Sequence, residues 1–145
     1  MFFADLYFGY DDAIYASCRL VEILAKTTRS LSALVADLPK TSVTPEIRVD
    51  VSGSIKFELV RHVQDRLTDC TKTYEELGPA KLVVRDVVTI DGVRAIFDDG
   101  WGLIRASNTQ PALVLRFEAT SPERLAAIRA VIEAELTLAK QALGC

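Results

Sequence analysis

Two apolar runs, Trp101 to Ala106 and Ala112 to Phe117, enclose a polar knot, Ser107-Asn108-Thr109-Gln110-Pro111. No other stretch limits the fold so tightly. Apolar runs this short, bounded by turn residues, predict strands, and so short a connection predicts that the strands are neighbours. The knot's chemistry is one-sided. Arg105 brings a permanent cation with a planar fork of donors, Ser107 and Thr109 bring hydroxyls, and Asn108 brings an amide donor. A tight turn also aims backbone N–H groups at one point, and such a concavity suits an anion. Two readings follow from the residues alone. One is a plain turn, because Ser, Asn, Thr and Pro each have a backbone reason to sit there. The other is a phosphate clamp, because a guanidinium fork matches two phosphate oxygens at once.

The rest of the chain supplies the partners this hairpin needs. Ile47, Val49 and Val51 alternate with Arg48 and Asp50, the period of a half-buried strand. Ser52-Gly53-Ser54 then caps a helix over about 55–67, with Leu59, Val60, Val63 and Leu67 inward and Phe57 beside them. Arg61, His62, Asp65 and Arg66 fall on its solvent side. His62 has no Ser, Cys or second ligand at a useful spacing and reads as a surface residue rather than a general base. Residues 69–80, with Gly78-Pro79, read as a loop. A strand over 82–90 meets Asp91-Gly92, a strong hairpin signal, and Val93 to Phe97 pairs back. Asp98-Asp99 before Gly100 reads as a turn rather than as catalytic acids. Whether Trp101–Ala106 is a central strand or edges the sheet stays open. Ser121-Pro122-Glu123 starts a last helix, with Leu125, Ile128, Ile132, Leu136, Ala139 and Leu143 as its stripe and Gly144 as its stop. The order β-α-β-β-β-α predicts an α+β two-layer sandwich: a roughly four-stranded, mainly antiparallel sheet with two helices on one face.

Ahead of this lies a different piece. Phe2, Phe3, Leu6, Tyr7, Phe8 and Tyr10 crowd around Gly9, and Asp11 or Asp12 offers a cap for a helix over about 13–25. A second helical piece follows, with Ser30 as its cap. Residues 39–46, Pro-Lys-Thr-Ser-Val-Thr-Pro-Glu, read as a stiff linker between 1–38 and 47–145. Composition excludes some function classes. A net charge of −3 and a pI near 5.2 leave no basic footprint for nucleic acid. No apolar run approaches the roughly 18 residues of a membrane span. Three scattered cysteines, Cys18, Cys70 and Cys145, fit a reducing compartment and a cytoplasmic protein.

The run Gly102-Leu103-Ile104-Arg105-Ala106-Ser107-Asn108-Thr109-Gln110-Pro111, with its flanks, resembles the signature of the last domain of the α-D-phosphohexomutases, which include the bacterial phosphomannomutase/phosphoglucomutases. Tyr7-Phe8-Gly9-Tyr10-Asp11-Asp12-Ala13 and Arg19-Leu20-Val21-Glu22 resemble the end of that family's third domain. The resemblance implies that Arg105, Ser107, Asn108 and Thr109 grip the phosphate that is not being transferred. It implies a last domain of TATA-binding-protein-like shape, preceded by a helical remnant of an α/β domain. Pro45, in Thr44-Pro45-Glu46-Ile47, becomes the hinge candidate.

The family transfers phosphoryl groups from a phosphoserine with magnesium, and neither motif occurs here. The expectation is therefore a C-terminal piece of a larger mutase, with no catalytic or metal-binding residue of its own and no activity alone. Magnesium belongs to the full-length enzyme. The implied partners are mannose or glucose phosphates and the enzyme's own missing domains, and residues 1–38 are expected to fold back or to pair with another copy. The alternative is a non-catalytic module that binds a phosphorylated metabolite or mediates dimerisation.

Overall fold

A computed structural model describes residues 3, 5–68, 73–74 and 81–144. The chain divides into two compact units, 1–39 and 40–145.

The first unit holds α1, Ala13–Ala25, and the single turn α2, Leu31–Leu34. Of the two candidate caps for α1, Asp12 is the one used: its carboxylate accepts from the Tyr15 N–H at 2.8 Å and from the Tyr7 hydroxyl at 2.6 Å. Tyr7 stacks on Tyr15 with ring centroids 4.0 Å apart. Ser30 caps α2 through the Ala33 N–H. No residue of α1 is fully buried, and Ile14 is 79% exposed. Phe2 lies outside the described residues.

The second unit is built on an antiparallel sheet and two helices, as the pattern predicts, but the sheet has six strands among the described residues rather than about four. Its strands are β1 (Ser42–Val43), β2 (Ile47–Asp50), β5 (Asp86–Val88), β6 (Val93–Phe97), β7 (Gly100–Ala106) and β8 (Ala112–Ala119). They are ordered β1-β8-β7-β6-β5, and β2 also pairs with β8. Between β2 and β5 come α3 (Ile55–Thr68) and a small ladder of β3 (Thr73–Tyr74) with β4 (Leu82–Val83). The closing helix α4 spans Pro122–Leu143.

The run beginning at Trp101 is a central strand, not an edge. Its register with β8 is unbroken from Gly100↔Ala119 to Ala106↔Leu113. Residues Gly102, Ile104 and Ala106 are buried, while Trp101, Leu103 and Arg105 alternate onto the opposite, partly open face. Gly100 and Gly102 lie where α4 crosses. A Cβ at Gly102 would come within 2.8 Å of Ile132 and 3.0 Å of Phe117, so only hydrogen lets helix and strand approach so closely.

Several details depart from the pattern. The expected strand over 82–90 is split: β4 pairs with β3, β5 pairs with β6, and Arg85 between them donates to the Ile96 carbonyl. The Asp91-Gly92 hairpin forms, but with 89–92 outside both strands rather than as a two-residue turn. Phe57 is 55% exposed, and Lys56 takes the inward place, because 56, 59, 60, 63 and 67 share one face. Arg66 faces α4, where it pairs with the buried carboxylate of Glu135, which also accepts from the Tyr74 hydroxyl at 2.9 Å. The linker over 39–46 contains β1, so part of it belongs to the sheet edge. The loop expected over 69–80 lies outside the described residues except for β3.

Gly102→Ala should destabilise the second unit by about 1–3 kcal/mol through overpacking, read as a lower urea midpoint at unchanged m-value. Acid should act on the first unit. The Tyr7 hydroxyl, then the Tyr15 N–H, hold the Asp12 carboxyl below its ordinary range. A carboxyl whose folded value is depressed stabilises above its unfolded value, and that contribution is lost as pH falls through the folded one. Helicity of α1 should therefore drop below about pH 4, and Asp12→Asn should remove that acid transition in circular dichroism of residues 1–39.

Candidate functional site

The loop over 107–111 joins the two longest strands of the sheet, so both of its stems are fixed. The Ser107 N–H donates to the Ala112 carbonyl at 2.9 Å, and the Ala112 N–H donates to the Gln110 carbonyl at 2.9 Å. Ser107 Oγ accepts from the Gln110 N–H at 3.2 Å, which leaves its own proton to donate elsewhere. Among the described residues nothing accepts from the backbone N–H groups of Asn108 and Thr109, and both residues are exposed.

The segment that precedes and begins α3 holds the loop from behind. The Lys56 ammonium, 7% exposed, donates to the Ser107 carbonyl at 2.6 Å and to the Gln110 carbonyl at 2.9 Å. The Arg48 guanidinium donates to Gln110 Oε1 at 2.5 Å and to Glu46 at 2.8 Å. The Val51 N–H donates to the Pro111 carbonyl at 2.9 Å. The Ser107, Gln110 and Pro111 carbonyls are thereby engaged by the protein, while among the described residues the Asn108 and Thr109 N–H groups are not.

Arg105 stands at the end of β7, with its side chain on the open face of the sheet. Its nearest anion is Asp91, at 3.7 Å, an ion-pair distance beyond hydrogen-bond range. The guanidinium therefore has no carboxylate within hydrogen-bond range among the described residues. Its backbone position is set by Gly92 on the neighbouring hairpin, whose φ is +83°. A Cβ there would fall 2.6 Å from Arg105 Cβ and 2.7 Å from its Cα. Gly92 is thus required twice, by its conformation and by its neighbour.

All four residues expected as ligands, Arg105, Ser107, Asn108 and Thr109, lie together on this hairpin end. Pro45 lies elsewhere, between β1 and β2 on the far side of β8. The Thr44 N–H beside it donates to the Phe117 carbonyl, and Thr44 Oγ1 accepts from the Phe117 N–H. Asp99 pairs with Arg124, and Asp98 makes a two-pronged pair with Arg85 that holds its carboxyl below the ordinary range. Both acids are thus engaged in the structure at a turn. Sequence pattern does not single out Lys56 or Asp91-Gly92 as parts of the site. Lys56 carries one signal, its helical spacing with Leu59, Val60 and Val63.

Residues 46–135 match the family model of the phosphoglucomutase/phosphomannomutase C-terminal domain. The chain belongs to that family. It is 42% identical over 136 residues to a phosphomannomutase/phosphoglucomutase of Pseudomonas putida, a match covering 94% of this chain and 27% of the relative. It is 37% identical over 138 residues to a phosphoglucomutase of Neisseria gonorrhoeae, covering 92% and 27%. The crystal structure of a phosphoglucomutase/phosphomannomutase family protein from Burkholderia thailandensis superposes with a TM-score of 0.69 at 40% identity, covering 96% of this chain and 26% of that one. The chain thus spans about a quarter of the length of these relatives. No helix among the described residues is long and apolar enough to cross a membrane. Among the same residues no three His, Cys, Asp or Glu side chains gather in a way that could hold a metal ion.

Gly92→Ala should displace the Arg105 backbone while leaving the 107–111 loop in place. The expected result is a changed Arg105 amide shift, with those of Ala112 to Leu115 conserved, in an 15N spectrum.

Proposed function

We propose that the second unit is the phosphate-clamping lid of a phosphomannomutase/phosphoglucomutase, which interconverts hexose 1-phosphate and hexose 6-phosphate through a bisphosphate intermediate. The observation that carries this reading is the set of uncommitted donors at one end of a rigid hairpin. The Arg105 fork, the Ser107 hydroxyl proton and the backbone N–H groups of Asn108 and Thr109 lack strong partners, whereas the Ser107, Gln110 and Pro111 carbonyls and the Gln110 side chain are tied down. The match to the family's C-terminal domain, across this same loop, supports it.

In this reading the four residues bind the phosphate that stays on the sugar. They move no proton and break no bond. Their contribution is orientation: a sugar held by a phosphate it is not losing presents its other end in line for transfer. Magnesium, which the family resemblance implies for the full-length enzyme, would there neutralise charge on the phosphoryl group in transit, and no residue of this chain is assigned to hold it. Pro45 would serve as the lid's hinge. A bend there requires β1, a ladder of two residue pairs, and Thr44, hydrogen-bonded to Phe117, to leave β8, while β2 stays seated. The exposed apolar side chains of the first unit, Phe8 and Ile14 among them, would be covered by the enzyme's remaining domains.

Arg105→Ala in the full-length enzyme should lower kcat/KM for mannose or glucose 1-phosphate about 100-fold, the worth of one charge-assisted pair of roughly 3 kcal/mol. Thermal stability should be unchanged. Steady-state kinetics at wild-type level in that variant would sink the assignment. A non-catalytic phosphometabolite module predicts the same loss of phosphate binding in this chain, but no mutase activity in the full-length protein.

A further inference from the structure

Lys56 is an unusual resident of a helix face. It is only 7% exposed, in a row otherwise made of Leu59, Val60, Val63 and Leu67. Among the described residues no carboxylate pairs with it: its partners are the two loop carbonyls and the ring of Phe57 at 5.2 Å. Burying an ammonium without a counter-ion is costly, and two carbonyl dipoles offset that cost only in part. A neutral amide could donate to the same two carbonyls. The full charge is therefore more than tethering the loop requires.

We infer that Lys56 is a positioning residue of the anion site, holding the Ser107 and Gln110 carbonyls at the two ends of the loop and placing an unneutralised positive charge behind the bound phosphate. This rests on the reading of the loop as a phosphate clamp. The geometry divides the work between two cations. Arg105 reaches the ligand from the open face, and Lys56 acts through the peptide groups it grips. Drawing electron density toward the Ser107 carbonyl polarises the Ser107–Asn108 peptide and strengthens the Asn108 N–H as a donor. The Gln110 carbonyl precedes Pro111, which has no N–H, so that contact only anchors the loop. The charge stays buried when the site is empty, so little reorganisation is needed when a dianion arrives.

The test uses the 145-residue chain, 15N-labelled, with inorganic phosphate as the probe. Lys56→Gln keeps a donor but removes the charge, and Lys56→Arg keeps both. The expected result is a phosphate affinity about tenfold weaker in Lys56→Gln, with a shallower dependence on salt, restored to within about threefold in Lys56→Arg. Amide exchange at Ala112 to Leu115 should be unchanged in both. Should Lys56→Gln fail to fold, the unsubstituted chain still decides. The Lys56 ε-methylene resonance should move with phosphate along the same isotherm as the Asn108 amide, and a resonance that stays still overturns the inference. Equal phosphate affinity in wild type and Lys56→Gln overturns it while leaving the clamp intact. No phosphate response anywhere over 105–109 overturns the clamp and this inference together.

Discussion

The pairing of β7 with β8 is the constraint on which the other parts of the second unit depend. Each strand is central, since β7 has β6 on its far side and β8 has β1 and β2 on its own. Both carry one row of apolar residues toward α3 and α4, where Ile104, Leu115 and Phe117 are buried. An unbroken ladder between two such strands fixes the relative height of their ends, and the loop over 107–111 inherits that precision. A binding loop on a hairpin of this kind needs no ordering step of its own, so its donors face a ligand without further loss of backbone entropy.

Two ways of holding a cation meet at this hairpin end. Arg105 is placed by what its neighbour lacks: Gly92 leaves room where any side chain would push it aside. Lys56 is placed by what it donates to, two carbonyls inside the loop. One guanidinium therefore stays available and the ammonium stays committed. The distinction follows from surroundings rather than residue type, because Arg48, also an arginine, is engaged with Gln110 and Glu46.

Much of this is legible in the sequence. The limits of α1, α3 and α4 fall within a residue of the expected positions, because Asp12 and Ser121 are strong local signals and Gly144 adopts the left-handed stop. By contrast α2 ends at Leu34, short of the Leu38 that its apolar spacing suggests. The hairpin loop and its four candidate ligands are visible as a polar knot between apolar runs. What escapes is set by tertiary contact. The run over 82–90 looks continuous because apolar residues recur through it, yet its two halves pair with different strands, a choice that no local pattern encodes. Arg66 reads as solvent-facing until α4 brings Glu135 beside it. Lys56 reads as polar, and the expectation that polar residues point outward outweighs its spacing. Phe57 misleads for the mirrored reason: an aromatic side chain suggests burial, but its angle on the helix places it outside.

The broken strand beside β8 bears on how such a sheet keeps to itself. β1 and β2 together would make a long border, with a row of unpaired groups open to any passing extended chain. Pro45 sits at its middle and contributes no N–H, dividing the border into pieces of two and four residues. At the other border β5 is only three residues long. Neither margin offers a template of useful length for an added strand. The interruption that looks like a flaw in the sheet thus leaves shorter rows of unpaired groups at this border than an unbroken strand would.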